Sequence, residues 1–199
     1  MTATLASLDF KVGRVNPSGI SPIAYFIPKE DIASWPVKKD DIADAASLDK
    51  FANLDGDFVL VTGKKWLKVY CTQGKGKCTF EPFGETDSKM YNNKAELFFP
   101  DLDDNARAFA TVAANGDFVF IIPTPGAVAK YHVIGDKYWR ATVETNGDFG
   151  DAAGSAKGLT IAITCPCTHA LPRYTGDLAL ENGTLDCSND TFTPAGSGA

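Results

Sequence analysis

The sequence predicts a mainly β fold: a β-sandwich or barrel of about eight strands with one flanking α-helix. Three observations carry that prediction. Short runs rich in β-branched and aromatic residues recur along the chain. Polar turns such as Asp55-Gly56, Asn115-Gly116, Asn146-Gly147 and Asn182-Gly183 punctuate them, and such pairs tolerate the positive φ of tight turns. One segment alone shows strong helical spacing.

Taken in order, the first strand is IAYFI (23–27), followed by a single turn over 29–35 that Pro36 stops. A weaker helical pattern spans 41–52, with Ile42, Ala45 and Ala52 in register. DFVLVT (57–62) reads as the next strand, then a pair at 66–71 and 78–80 joined by a hairpin, then AELFF (95–99). The firm helix covers 101–115. Asp101 can cap it, Asp103 and Asp104 place negative charge in its first turn, and Leu102, Ala106, Phe109 and Ala113 form one apolar stripe. Asn115-Gly116 suits its C-terminal end. DFVFII (117–122), KYHVI (130–134), YWRATVET (138–145) and LTIAIT (159–164) complete the eight strands. LDGDFVLVTG (54–63) and ANGDFVFIIP (114–123) echo each other as turn-then-strand units, a local solution used twice and too short for a solenoid period. No linker divides residues 1–199, so one domain is expected, with a loose polar end at 188–199.

Composition narrows the function. With 19 Lys+Arg against 25 Asp+Glu, the net charge is −6 and no basic block is present, which argues against a protein that grips phosphates. No apolar run reaches the roughly 18–20 residues of a membrane span. The opening, MTATLASLDFKVGR, has no basic leader followed by an apolar stretch, and five cysteines with no export signal predict reduced thiols in a cytosolic setting.

The sharpest chemical cluster is CPCTH (165–169). As a metal site it would use Cys165, Cys167 and His169, with Cys187 as a distant fourth ligand. Strand alternation favours the plainer reading, in which Cys165, Cys167 and His169 continue the apolar face of Leu159, Ile161 and Ile163, and Pro166 marks the strand's edge. Cys71 and Cys78 flank TQGKGK, where a hairpin could oppose them. A pair of half-buried thiols fits better there than a strained cross-strand disulfide. The GKGK turn lacks the frame of a phosphate-binding loop, and the chain has two histidines, His132 and His169, and no nucleophile elbow. The chain is therefore read as a non-enzyme with no catalytic residue and no required cofactor.

From about Phe80 to Gly176 the order of elements is distinctive. An acidic segment (EPFGETDSKMY) precedes AELFF, a helix opened by PDLDDNARAF, and DFVFIIP. The hairpin KYHVIGDKYWRATVET, the small-residue loop NGDFGDAAGSAKG, LTIAITC and PRYTG follow. This order resembles the major tail proteins of tailed bacteriophages, down to a short hairpin carrying Val133, Ile134 and Gly135, and GISPIAYFIPKEDIASWP (19–36) is similar to their amino-terminal stretch.

The resemblance implies a virion structural protein, assembled in the host cytoplasm, whose rings (hexameric in the family) stack into a tail tube. Its partners would be further copies of itself and other tail proteins at the tube ends, with DNA passing through the lumen unbound and no membrane involved. An acidic lumen would repel phosphate, an effect reaching only about 8 Å at physiological salt. Two segments are expected to make assembly contacts: Thr72, Gln73, Gly74, Lys75, Gly76 and Lys77 in the hairpin tip, and Gly147, Asp148, Gly150, Gly154 and Gly158 in the long loop. Exposed Phe98, Phe99, Tyr138 and Trp139 would supply apolar anchors. Three other readings share the profile: a capsid decoration or head–tail adaptor protein, a zinc-binding module built on CPCTH, and a carbohydrate-binding sandwich that would need Trp35, Trp66 and Trp139 exposed.

Overall fold

In the computed structural model, which describes residues 5–196, the apolar runs become the strands of a mainly β fold. The first eight strands are β1 (Ile23–Pro28), β2 (Ile32–Ser34), β3 (Val59–Leu60), β4 (Leu67–Tyr70), β5 (Lys77–Phe83), β6 (Met90–Phe99), β7 (Phe118–Thr124) and β8 (Lys130–Ile134). Then come β9 (Thr142–Asp148), β10 (Gly158–Cys167), β11 (Arg173–Tyr174), β12 (Asp177–Leu180), β13 (Gly183–Asp186) and β14 (Thr191–Pro194). The helices are α1 (Leu48–Phe51) and α2 (Asp104–Ala113). Among the described residues there are thus fourteen strands, not eight.

They make a five-stranded sheet in the order β11-β8-β7-β1-β4, a four-stranded sheet β5-β6-β10-β9, a meander β12-β13-β14 and the short pair β2-β3. Every strand pairing within these sheets is antiparallel. β7 explains the layering. Its residues Phe118–Pro123 are all buried, because both of its faces are covered. Phe118, Phe120 and Ile122 point to a core shared with Leu97, Ile161, Ile163 and Cys165 of the four-stranded sheet. Val119 and Ile121 point to a second core closed by Leu178, Leu180, Leu185 and Cys187 of the meander region. Burying each large apolar side chain contributes roughly 1.5–3 kcal/mol, so the five-stranded sheet is the stable middle layer.

The helix expected at 101–115 is α2. Its cap is Asp103, not Asp101: the Asp103 carboxylate accepts the Ala106 N–H at 2.7 Å, while Asp101 accepts from Leu102. Bonds from Asn115 to the Val112 carbonyl and from Gly116 to the Ala113 carbonyl tighten the last turn, so Gly116 is not a left-handed C-terminal glycine. Gly147 lets the start of this helical segment lie against β9, since a Cβ there would come 2.8 Å from the Leu102 side chain.

Several boundaries differ from expectation. The 41–52 helix is broken into a 3-10 turn at Ile42–Asp44 and the one-turn α1. The 29–35 turn is a 3-10 turn at Lys29–Asp31 followed by β2. DFVLVT keeps only β3, a two-residue strand in the smallest sheet, so it is no structural counterpart of the buried β7. YWRATVET pairs only from Thr142, because the Asp136 carboxylate holds the Tyr138 N–H at 2.8 Å and Arg140 bonds the Asn115 and Gly116 carbonyls. AELFF is the end of a ten-residue strand whose polar start alternates Asn92, Lys94 and Glu96 outward. The segment read as a loose end contains β14, paired to β13, while residues 197–199 lie outside the described residues.

Candidate assembly interface

The hairpin expected between Cys71 and Cys78 does not exist. β4 belongs to the five-stranded sheet and β5 to the four-stranded one, so residues 72–76 cross between layers. This crossover is tied down: Thr72 donates its N–H to the Phe98 carbonyl at 2.8 Å, and the Lys75 ammonium sits 4.3 Å over the Phe98 ring. Gly76 is crowded by Ile20 and by the Cys71 thiol. Thr72, Gln73, Gly74, Lys75 and Gly76 are therefore a connection, not a projecting tip, and Lys77 begins β5. Cys71 is buried and Cys78 half-buried, both as free thiols.

The second expected segment is shorter than its composition suggests. Gly147 and Asp148 end β9, and Gly158 opens β10 opposite Asp148. The projecting loop is residues 149–157, which carries Gly150, Gly154 and an exposed Phe149. Of the expected anchors, Tyr138 is well exposed, whereas Phe98, Phe99 and Trp139 are half-buried. Trp66 is buried in the second core, which removes it from any carbohydrate platform with Trp35 and Trp139.

CPCTH follows the strand alternation. Cys165 and Cys167 are buried on the inner face of β10 beyond Ile161 and Ile163, and the His169 N–H donates to the Cys167 thiol at 3.4 Å. Burial, helped by the Asp136 charge, pushes the Cys165 thiol up to about 12, and burial likewise raises Cys167. His169 is driven toward its neutral form by burial first and by the Lys38 charge second. Cys187 belongs to the other core. Among the described residues no three His, Cys, Asp or Glu side chains converge to hold a metal. Protonated, buried thiols are poor ligands and poor nucleophiles.

The open strand edges are the most distinctive surface. The four-stranded sheet ends on one side in β5 and on the other in β9, each seven residues long. Both strands are largely exposed, and Pro82 is the one residue of β5 that cannot donate to a ladder. On the sheet's outer face Lys77 pairs with Glu96 at 3.0 Å and Lys94 with Glu81 at 2.5 Å, leaving Glu144 and Asp148 of β9 as the remaining charges among threonines and asparagines. The five-stranded sheet ends in β11 and β4, and β4 shows exposed Leu67 and Tyr70. Long open edges invite pairing with another chain.

Sequence reasoning missed one feature of this surface. Residues 5–19 are all exposed and carry Leu5, Leu8, Phe10, Val12 and Val15. The alternation of Leu8, Phe10 and Val12 with Asp9 and Lys11 was the available signal, a strand face with nothing of its own to cover it.

Among the described residues no helix is long and apolar enough to cross a membrane. No protein-family model, curated protein or solved structure matches this chain.

Proposed function

We propose that this protein is a structural subunit of a phage tail tube, forming rings that stack into a conduit for DNA. One observation carries the reading: the two open edges of one sheet, β5 and β9, run in opposite directions. In the order β5-β6-β10-β9 with every neighbour antiparallel, β5 and β9 are antiparallel to each other. Rotation of a copy about a ring axis then brings β9 of one subunit beside β5 of the next with antiparallel polarity. The contact is heterologous, uses two different edges and closes on itself.

Six copies, the number the family resemblance implies, would join six four-stranded sheets into one 24-stranded cylinder. Barrels of roughly 16–18 strands already leave an aqueous channel, so such a cylinder would be hollow. The face lining it would carry the mutually neutralised Lys77–Glu96 and Lys94–Glu81 pairs, with Glu144 and Asp148 in excess. A polar, slightly negative wall offers no cationic grip on phosphate, and DNA would slide along it. The sequence order described above supports the same reading. On this reading the protein would belong to the virion tail, with its own copies and the proteins at the tube ends as partners and no catalytic role.

Negative-stain electron microscopy of the concentrated recombinant protein tests this. Rings or hollow cylinders are the expected result. A population that stays monomeric at high concentration overturns it and favours a decoration or adaptor role.

A further inference from the structure

The exposed amino-terminal segment and an apolar groove on the body are chemically matched. Leu8, Phe10 and Val12 are 94%, 69% and 90% exposed. In the isolated chain Val12 and Gly13 form a turn closed by the Arg14 N–H on the Lys11 carbonyl; once the segment is extended, period-2 spacing would place all three apolar side chains on one side. Alongside β4 lies a groove of about 280 Å³ whose walls include Phe26, Val69, Phe99, Phe109, Leu159 and Ile161. It opens into the first core, so its lining is the unfinished side of the sandwich. The outer edge of β4 is free over Leu67–Tyr70, and just before it Trp66 donates its N–H to the Ala179 carbonyl of β12. Lys68 and Asp103 also line the groove. By strand alternation the Lys68 side chain faces away from Val69, with its ammonium 5.8 Å from the Phe192 ring of β14, and Lys64 and Lys65 precede it.

We infer that residues 8–12 of one copy add as a strand to the free edge of β4 on a second copy, placing Leu8, Phe10 and Val12 in the groove. The backbone supplies the ladder, and the alternating side chains supply the register, as in other strand additions. Asp9 and Lys11 take the opposite face, where Lys68 gives Asp9 a partner of opposite charge. The occupant is a second copy because the arm stands clear of its own body: residues 5–19 are exposed while Ser21 is already anchored to the Pro123 carbonyl at 2.8 Å. The contact uses neither β5 nor β9. It therefore does not rest on ring closure and would link copies in a different direction, joining rings where rings form.

Sedimentation velocity of the full chain over a concentration series, with imaging of the same samples, tests the inference. Phe10→Asp should weaken self-association at least about tenfold, the effect of losing one buried aromatic side chain. Asp9→Lys and Lys68→Glu should each weaken it roughly two- to fivefold, and the two together on one chain should restore it. All three positions are on exposed surface, so each variant keeps the fold. Intact protein that forms rings and stacks unaffected by Phe10→Asp overturns the arm contact and leaves the ring reading standing. Single rings that no longer stack in Phe10→Asp support both. Monomeric intact protein, with the arm protected from protease against its own β4, overturns both. Failure of the double charge reversal to recover association overturns the proposed register.

Discussion

The ammonium of Lys38 forms an ion pair with the carboxylate of Asp136, whose side chain is only 1% exposed. The same carboxylate holds the Tyr138 N–H, and the Lys38 ammonium lies 3.9 Å from the Cys167 thiol and over the Trp139 ring. The pair thus anchors the 36–40 segment to the turn after β8. Removing the cation strands a buried charge, which costs far more than the pair itself contributes. Lys38→Met should destabilise the fold by about 3 kcal/mol, whereas adding Asp136→Leu should recover part of that loss. Urea denaturation of the two single variants and the double variant reads this directly. A loss in the double variant equal to the sum of the two single losses would rule out the coupling.

Acid stability should follow the two histidines. Burial lowers His132, whose Nδ1 lies 3.2 Å from the Leu171 carbonyl, and burial with the Lys38 charge lowers His169. In the unfolded chain both protonate near the ordinary value of 6.5, before the folded chain does. The unfolded state then binds more protons, so stability is fully present above 6.5 and is lost as pH falls below it. His132→Gln should flatten this acid limb. Denaturation midpoints measured between about pH 7 and about pH 5 test it, and an unchanged slope in the variant would remove His132 from the account.

The alkaline limb has the opposite sign. Burial pushes Cys78 and Cys165 from 9.0 up to about 12, and Tyr25 from 10.0 up to about 12; Tyr131, Tyr174 and Cys187 are raised as well. The unfolded chain releases these protons first. Stability is therefore complete below 9 and declines as pH climbs toward 12. The phenolate absorbance contributed by the buried Tyr25, Tyr131 and Tyr174 should rise together with loss of the fold, in one cooperative step. Thiol alkylation at about pH 8 should leave Cys71, Cys165, Cys167 and Cys187 unmodified until denaturant is added. Rapid labelling of Cys165 or Cys167 in the folded protein would contradict their placement in the core.

What the sequence revealed and what it hid have a common physical origin. β7 was legible because six consecutive buried residues make an unbroken apolar run, and α2 because its stripe and acidic first turn are local signals. The run of β7 did not disclose that its two faces serve different cores, since that depends on what packs against it. The meander β12–β14 was hidden because LALENGTLDCSNDTFTP is short, polar and half-exposed, and Leu178, Leu180 and Leu185 gain their core only from the sheet they cover. Cys71 and Cys78 looked like hairpin partners because spacing cannot tell a turn from a crossover between layers. CPCTH was legible because strand alternation extends through Pro166, which stands on the outer face opposite Asn92 of β6. The edges of β5 and β9 were out of reach, because edge status is a property of the assembled sheet and not of a strand.

Loop 149–157 offers a clean separation of folding from assembly. Its bonds are local or exposed: Gly150 donates to Asp148 at 2.8 Å, the Ser155 hydroxyl to Asp151 at 2.7 Å, and Lys157 pairs with Asp101 at the surface. Screened ion pairs of this kind add little to stability. Asp148 and Gly158 already face each other at the end of the ladder, so a two-residue Asn-Gly turn can close the hairpin in place of 149–157. The shortened protein should unfold at nearly the same denaturant concentration as the intact chain. Its assembly should nevertheless change, because Phe149 is an exposed aromatic at the end of β9, the edge that joins subunits in the proposed ring. Electron microscopy of the folded, shortened protein reads the outcome. Missing or disordered cylinders assign the loop to subunit contacts, and normal cylinders would leave the β5 and β9 edges to close the ring without it.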